Sequence, residues 1–207
     1  MQKKLKKLFS LNRVVVLLSL ADIFSWGPYM VISALSGLYL ATKLDMDAVQ
    51  VIAIGTSIYY ITRSAIQMPI GKITDKIKSD SDEILFLLIG AILMGLPFIV
   101  YPFISIPIHY YILQFVFGLG VSFNLTNWRK LFALNVDKNR EGTQYGFYEI
   151  CMSGGAAIFS ALIGSLGSLS NRYFDIIIVS AGIVMLLASV WIFLIHKTDG
   201  RKSSKKA

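Results

Sequence analysis

Six apolar stretches, each about 20 residues or longer, follow one another along the chain with only short connections between them. A helix that crosses about 30 Å of hydrocarbon needs about 20 apolar residues, so each stretch is long enough to span a membrane. The stretches are too long for single β-strands and lack the alternating polarity of a membrane β-barrel. The sequence therefore predicts an all-α membrane protein with six transmembrane helices, at about residues 14–42, 49–70, 84–105, 108–130, 144–169 and 174–196.

The composition excludes the common soluble classes. Of the 207 residues, 55% are hydrophobic and only 15% are charged, with a mean hydropathy of +0.64, whereas a soluble domain carries about 25% charged residues. A single cysteine, Cys151, rules out a disulfide framework. The chain has no phosphate-binding glycine loop, no nucleophile elbow and no paired metal-binding histidines. We therefore expect no enzyme activity, no cofactor and no metal site.

The positions of lysine and arginine predict the orientation of the chain in the membrane. With a cytoplasmic N-terminus, seventeen of the twenty basic residues lie on the cytoplasmic side, Lys43 and Arg172 lie outside, and Arg63 lies within a span. We expect a bacterial inner (plasma) membrane protein with an uncleaved first helix, a basic cytoplasmic N-terminus at 1–13 and a basic cytoplasmic tail at 197–207. The net charge of +8 then reflects topology and contact with lipid headgroups, and no nucleic-acid binding is expected.

Three ionisable side chains fall inside the predicted spans: Asp22, Arg63 and Glu149. Such residues are costly in a membrane and usually face a partner or a polar pathway. At about 1.5 Å per residue, Asp22 and Arg63 each lie about 12 Å deep and Glu149 about 8 Å deep, all in the cytoplasmic half. Because Asp22 and Arg63 have opposite charge and matched depth on consecutive helices, the sequence predicts an ion pair between them.

Two interpretations of these charges remain open. The pair either only holds two helices together, or it lines a water-filled cavity that contacts a polar solute or a proton. Trp26 precedes Gly27-Pro28, where the proline predicts a kink in the first helix. Under the second interpretation the solute or ion pathway consists of Asp22, Trp26, Arg63, Gln67, Gln114, Asn124 and Glu149.

The fifth span is rich in small residues at spacings of three and four, which allow helix backbones to approach closely. The face that we expect to pack against another helix comprises Gly154, Gly155, Ala157, Ala161 and Gly164. The spacing leaves open whether that neighbour belongs to the same chain or to a second one.

The connection after the second span reads Gly71-Lys72-Ile73-Thr74-Asp75-Lys76. It resembles the signature loop of the major facilitator superfamily, in which a glycine, an aliphatic residue, a small residue, an aspartate and a basic residue join the second and third helices. The fourth span is also similar, since Gln114-Phe115-Val116-Phe117-Gly118 lies where the family has a motif that begins with arginine and ends in glycine. Gln114 stands in place of that arginine.

The resemblance implies one half of a major-facilitator-type fold, which is two three-helix inverted repeats. It also implies a loop that latches onto the opposite half of the transporter and stabilises the outward-open state, with Gly71, Asp75 and Lys76 as the latch residues. The function expected by analogy is transport of a small solute by alternating access, with a proton as a candidate coupling ion.

A non-transporting membrane scaffold, sensor or assembly module is the main alternative function, and an unrelated six-helix channel is a third. Met1 and the basic tail suggest natural termini, and six helices of this family build only one wall of a central cavity. We therefore expect a homodimer in which the second span faces the partner's fifth span, with Asp75 beside the N-terminus of that span. A partner half encoded elsewhere remains the other possibility.

Overall fold

A computed structural model describes residues 11–44, 48–76, 80–166 and 173–197 of the chain. The described residues form helices and no strand, in agreement with the predicted all-α class. A short 3₁₀ helix at Tyr101–Phe103 follows the third long helix. The long helices are α1 (Arg13–Leu44), α2 (Ala48–Lys76), α3 (Asp80–Val100), α4 (Pro107–Asn135), α5 (Glu141–Leu166) and α6 (Phe174–Lys197).

The helices pack side by side in an order that differs from their order along the chain. Neighbouring pairs run α2–α4, α4–α3, α3–α6, α6–α1 and α1–α5, with smaller contacts of α1 against α2 and α4. Helices α2 and α5 therefore lie at the two ends of the series, and each has one principal neighbour. Faces of these two helices are left open within the single chain.

Polar contacts tie the helix ends together on both sides of the bundle. At the end that carries most of the described basic residues, which we call the basic end, the Asn12 side chain donates to the Asn135 carbonyl at 2.7 Å. At the opposite end, Lys43 lies 3.1 Å from Asp175 and links α1 to α6. The start of α1 and the end of α4 therefore lie on one side, as expected for helices that alternate in direction.

Glycines allow close contact between helices in the centre of the bundle. A Cβ on Gly120 of α4 would lie 2.7 Å from the backbone of Met94 on α3, and a Cβ on Gly95 would lie 2.8 Å from the carbonyl oxygen of Gly182 on α6. Small residues at such contacts let backbones approach without a steric penalty. The glycines therefore set the close packing of α3 against α4 and α6.

The helices match the six predicted stretches in number and order, but several boundaries differ. Helix α2 continues to Lys76 rather than ending at residue 70, and α4 continues to Asn135 rather than 130. Helix α3 ends early, at Val100, because the 3₁₀ turn and an extended connection to Pro107 follow it. The predicted fifth span runs to residue 169, and residues 167–169 lie outside the described part.

Within the described part of the chain, four helical segments are long and apolar enough to cross a membrane: Arg13–Leu44, Asp82–Phe103, Pro107–Asn135 and Phe174–His196. Helices α2 and α5 have 29 and 26 residues but are not among the four. Six membrane spans therefore stay a prediction. The basic tails at 1–10 and 198–207 also lie outside the described residues.

Candidate functional site

A polar cavity of about 150 Å³ lies between α1, α2, α4 and the end of α3. Its walls combine hydroxyl groups, one amide and apolar side chains. Helix α1 contributes Ser33 and Ser36 and α2 contributes Thr56, all of which carry side-chain hydroxyls. The larger polar residues that line the cavity are Tyr29, Tyr59, Tyr60, Tyr101, Tyr110 and Gln114.

An aromatic cluster behind the cavity holds these tyrosines in place. The ring of Phe117 on α4 stacks against Tyr29 at 5.0 Å and against Tyr59 at 5.4 Å between ring centroids. The same ring meets Phe98 of α3 edge-on at 5.2 Å. Since Phe117 and Phe98 are almost fully buried, they fix the positions of tyrosines from different helices. Aromatic pairs at these distances stabilise the packing beyond the area that they bury.

Gln114 is the one predicted pathway residue that lines this cavity. Its side-chain amide donates to the Tyr101 hydroxyl at 3.1 Å. Arg63 lies close to the same region because its guanidinium donates to the Tyr59 hydroxyl at 3.2 Å. Two of the predicted residues therefore contact the tyrosines, which the sequence interpretation did not include.

Asp22 and Arg63 do not form the predicted ion pair. The Tyr148 hydroxyl on α5 donates to Oδ2 of Asp22 at 2.7 Å, and the described residues give Oδ1 of Asp22 no hydrogen-bond partner. The Arg63 guanidinium instead donates to Tyr59 of its own helix, and the Arg63 backbone carbonyl accepts a hydrogen bond from Ser122 of α4 at 3.3 Å. Their helices are not principal neighbours in the bundle, because α1 packs mainly against α5 and α6 while α2 packs mainly against α4. Matched depth did not make the two residues neighbours.

The other predicted pathway residues are dispersed. Glu149 is exposed on α5, and Gln67 is half-buried on α2. Asn124 is buried on α4, close to Gly90 of α3. Trp26 is half-buried and meets the ring of Tyr29 edge-on at 5.7 Å. The predicted set is therefore divided between the cavity, the contact of α1 with α5, and positions that are separate from both.

The Gly27-Pro28 pair is buried inside α1 rather than lining the cavity. A Cβ at Gly27 would collide with the ring of Phe159 on α5. Helix α1 remains helical through Pro28, from Arg13 to Leu44. Gly27 therefore permits close packing of α5, and the adjacent Tyr29 is the residue that reaches the cavity.

The predicted latch loop is helical. Gly71, Asp75 and Lys76 belong to the last turns of α2. Asp75 lies 3.3 Å from Lys130 of α4, and Lys130 lies 2.8 Å from Glu83 of α3. The Lys130 ammonium also donates to the Thr74 carbonyl at 2.7 Å. A three-helix charge cluster therefore replaces the expected loop, with Lys130 at its centre and Glu83 buried beneath it.

The N-terminus of α5 carries a carboxylate of its own. The backbone N–H of Asn139 donates to Glu141 at 3.1 Å. Hydrogen bonds from the backbone N–H groups of Glu141 and Asn139 lower the pKa of the Glu141 carboxyl. This negative charge lies at the helix end where the partner's Asp75 was expected to bind.

The small-residue face of α5 is divided between two environments. A Cβ on Gly155 would lie 3.2 Å from Ile23 of α1, so this glycine meets a helix of its own chain. Gly154, Ala157 and Ala161 are exposed, and a Cβ on Gly154 would have nothing within 4 Å. The surroundings of Gly164 lie outside the described residues.

Sequence interpretation missed the tyrosines, Tyr148 and the pair of Glu83 with Lys130. Tyrosines near the ends of apolar spans are normally explained as a membrane-interface belt. Because of this explanation, the tyrosines that line the cavity were not considered as site residues. An ionisable residue at the start of an apolar span was the available signal for Glu83. Among the described residues there is no group of three or more His, Cys, Asp or Glu side chains that could hold a metal ion.

Long apolar helices that could cross a bilayer are typical of an integral membrane protein. The chain belongs to the Major Facilitator Superfamily, whose family model matches residues 17–207. It is therefore a membrane transporter of the major facilitator type. No curated protein and no solved structure matches the chain.

Proposed function

We propose that the protein moves a small solute across a bacterial inner membrane by alternating access. The polar cavity of about 150 Å³ between α1, α2 and α4 is the observation that carries this proposal. A bundle whose role was only structural would gain nothing from grouping hydroxyl and amide side chains in an otherwise apolar interior. In a transporter such groups replace the water that the solute loses.

The working unit that we propose is a homodimer with both termini in the cytoplasm. Helices α2 and α5 lie at the ends of the packing order, and they expose large apolar side chains that include Ile61, Met68, Ile150 and Ile158. A second copy related by a twofold axis along the membrane normal would cover both helices and close the open side of the cavity, as parallel repeats do in related architectures.

Asp22 is the group that we assign to a coupling proton. It is almost fully buried in α1, one of its oxygens accepts from Tyr148, and the other has no partner among the described residues. A carboxyl group in a membrane interior commonly belongs to a proton relay. Asp22→Asn should abolish accumulation driven by a pH gradient while exchange of labelled for unlabelled solute continues.

Uptake into proteoliposomes tests the transport proposal. Purified protein would be reconstituted and offered labelled sugars, polyols, amino acids, peptides and drugs, with empty liposomes as the background. We expect at least one solute to enter above background, and Gln114→Leu to reduce its uptake. Gln50→Leu, a matched change at an exposed position on α2, should leave uptake unchanged. Uptake at background for the whole panel would favour the scaffold alternative.

A further inference from the structure

The cavity between α1, α2 and α4 contains hydrogen-bonding groups without charge. Five tyrosines and Gln114 line it, and no described lining residue is acidic or basic. An ionic solute inside it would leave water without gaining an opposite charge from any described lining residue, which is costly in a low-dielectric site. Arg63, beside the cavity, is not a lining residue, and its guanidinium donates to the Tyr59 hydroxyl. A neutral solute with several hydroxyls could exchange its hydrogen bonds with water for bonds to these groups. The lining chemistry therefore favours a neutral polar ligand.

An aromatic cage for an organic cation is the main competing interpretation, because tyrosine ring faces attract ammonium groups. Here three of the five lining tyrosines have a ring face stacked on another ring. Phe117 stacks on Tyr29 and Tyr59, while Tyr39 stacks on Tyr101 at 5.9 Å. This stacking commits the rings of Tyr29, Tyr59 and Tyr101 to packing. The hydroxyls of Tyr59 and Tyr101 accept from Arg63 and Gln114 and can still donate to a ligand.

A positive charge beside the cavity also disfavours a cation. Arg63 donates to the Tyr59 hydroxyl at 3.2 Å, and the described residues place no carboxylate within salt-bridge distance of it. A cationic solute next to Tyr59 would meet this uncompensated guanidinium. Since like charges at close range repel strongly in a membrane interior, the site selects against ammonium compounds.

The cavity within one chain has the size of a small ligand. Its volume of about 150 Å³ is below the range of about 300–1,000 Å³ that is common for sites of drug-sized ligands. Within one chain such a space accepts one small ring or a short polyol.

We infer that this tyrosine cavity binds a neutral polyhydroxylated solute of about monosaccharide size. The inference rests on the proposed transport function, since it names the class of solute that the transporter carries. Gln114 and Tyr110 lie on one helix at spacing i, i+4, so they present an amide and a hydroxyl on the same face of α4. They are the residues that we expect to orient the ligand.

A charge series of equal size tests the inference. The purified full-length protein would be unfolded by heat in detergent with D-glucose, D-glucosamine or D-glucuronate, at a mildly acidic pH that keeps glucosamine protonated and glucuronate ionised. Myo-inositol would serve as a second neutral polyol. We expect a neutral polyol to raise the unfolding temperature with a concentration dependence that gives its affinity. The charged analogues should bind at least about tenfold more weakly. A larger shift with glucosamine or glucuronate, or no shift with either neutral polyol, would overturn the inference.

Matched variants assign the binding to the cavity. Tyr110→Phe and Gln114→Leu keep the size of the side chain and remove a hydrogen-bonding group, and each should weaken the polyol affinity about tenfold. Tyr145→Phe and Gln50→Leu make the same changes at exposed positions outside the cavity and should have no effect. Polyol binding that Tyr110→Phe and Gln114→Leu leave intact would overturn the assignment. Uptake of a charged solute by the same protein would refute the solute class while the transport proposal stands.

Discussion

The Tyr148 hydroxyl on α5 donates a hydrogen bond of 2.7 Å to the Asp22 carboxyl on α1. Asp22 is buried, and Tyr148 packs against Trp128 of α4 with ring centroids 4.8 Å apart. Trp128 in turn donates from Nε1 to the Leu18 carbonyl at 3.0 Å. These contacts join α1, α4 and α5 in the half of the bundle nearest the basic end, and they give α5 a polar attachment to its principal neighbour.

A double-mutant cycle checks this relationship. Asp22→Leu and Tyr148→Phe should be coupled by about 1–2 kcal/mol in the free energy of unfolding, because each removes the same buried hydrogen bond. The cycle of Asp22→Asn with Arg63→Gln should show no coupling beyond about 0.5 kcal/mol, since the two residues share no partner. Denaturant unfolding in detergent measures both. Coupling found only in the cycle of Asp22 with Arg63 would indicate that these two residues form the ion pair that the sequence predicts.

The number of long helices and their order were predictable because apolar length is a property of the chain alone. The latch motif at Gly71-Lys76 and the Gln114 segment also identified the family correctly from local sequence. Depth along a helix can be counted as well, which is how Asp22 and Arg63 came to be compared.

What could not be predicted is which helix lies beside which. Asp22 meets Tyr148 because α5 packs on α1, although about 100 residues separate α5 from α1 along the sequence. The tyrosine cavity combines Tyr29, Tyr59 and Tyr110 from three helices, and no spacing along the sequence relates them. The helical end of α2 was missed because Lys72, Asp75 and Lys76 lower its hydropathy without breaking the helix.

Lys130 is expected to be the most important residue of the basic-end cluster. Lys130→Met would leave the buried Glu83 carboxylate without its cation and should cost about 3 kcal/mol in the free energy of unfolding. Adding Glu83→Gln should recover part of this loss. Lys72→Met, an exposed position on α2, is the matched control and should change stability by less than about 0.5 kcal/mol. Equal effects of Lys130→Met and Lys72→Met would contradict a structural role for the cluster.

The glycine contacts between α3 and α4 predict a contrast between two alanine substitutions. Gly120→Ala would place a methyl group 2.7 Å from the backbone of α3, so the helices must separate, at a cost of about 1–3 kcal/mol. Gly154→Ala adds a methyl group with nothing within 4 Å and should be neutral or stabilising by up to about 1 kcal/mol, because alanine favours the helix. Thermal unfolding in detergent compares them. Tolerance of Gly120→Ala would indicate looser packing of α3 against α4.

Accessibility to a membrane-impermeant thiol reagent tests the orientation. In a Cys151→Ser background, a cysteine at Thr143 should react only from the cytoplasmic side and a cysteine at Ser105 only from the outside. Both positions are exposed and lie at opposite ends of the bundle. Comparing the labelling of intact cells with that of inverted vesicles distinguishes the two sides of the membrane. The reverse pattern would place the termini outside.

Cross-linking between two differently tagged chains tests the homodimer. The proposed twofold arrangement places α2 of one chain beside α5 of the other, so Lys76→Cys in one chain should link to Thr143→Cys in its partner in membranes. Both positions are exposed, whereas the neighbouring Thr74 is buried. Each tagged chain carries one cysteine in a Cys151→Ser background, so any bond between the tags joins two copies.

Gly154→Leu on the open face of α5 should reduce the yield of linked dimer without unfolding the monomer. The added side chain meets no atom of its own chain but would separate closely packed helices of two chains. A cysteine at Ser105 in place of Thr143 lies at the other end of the bundle and should not link to Lys76→Cys. Absence of a linked pair, in membranes where the chain transports its solute, would contradict the dimer.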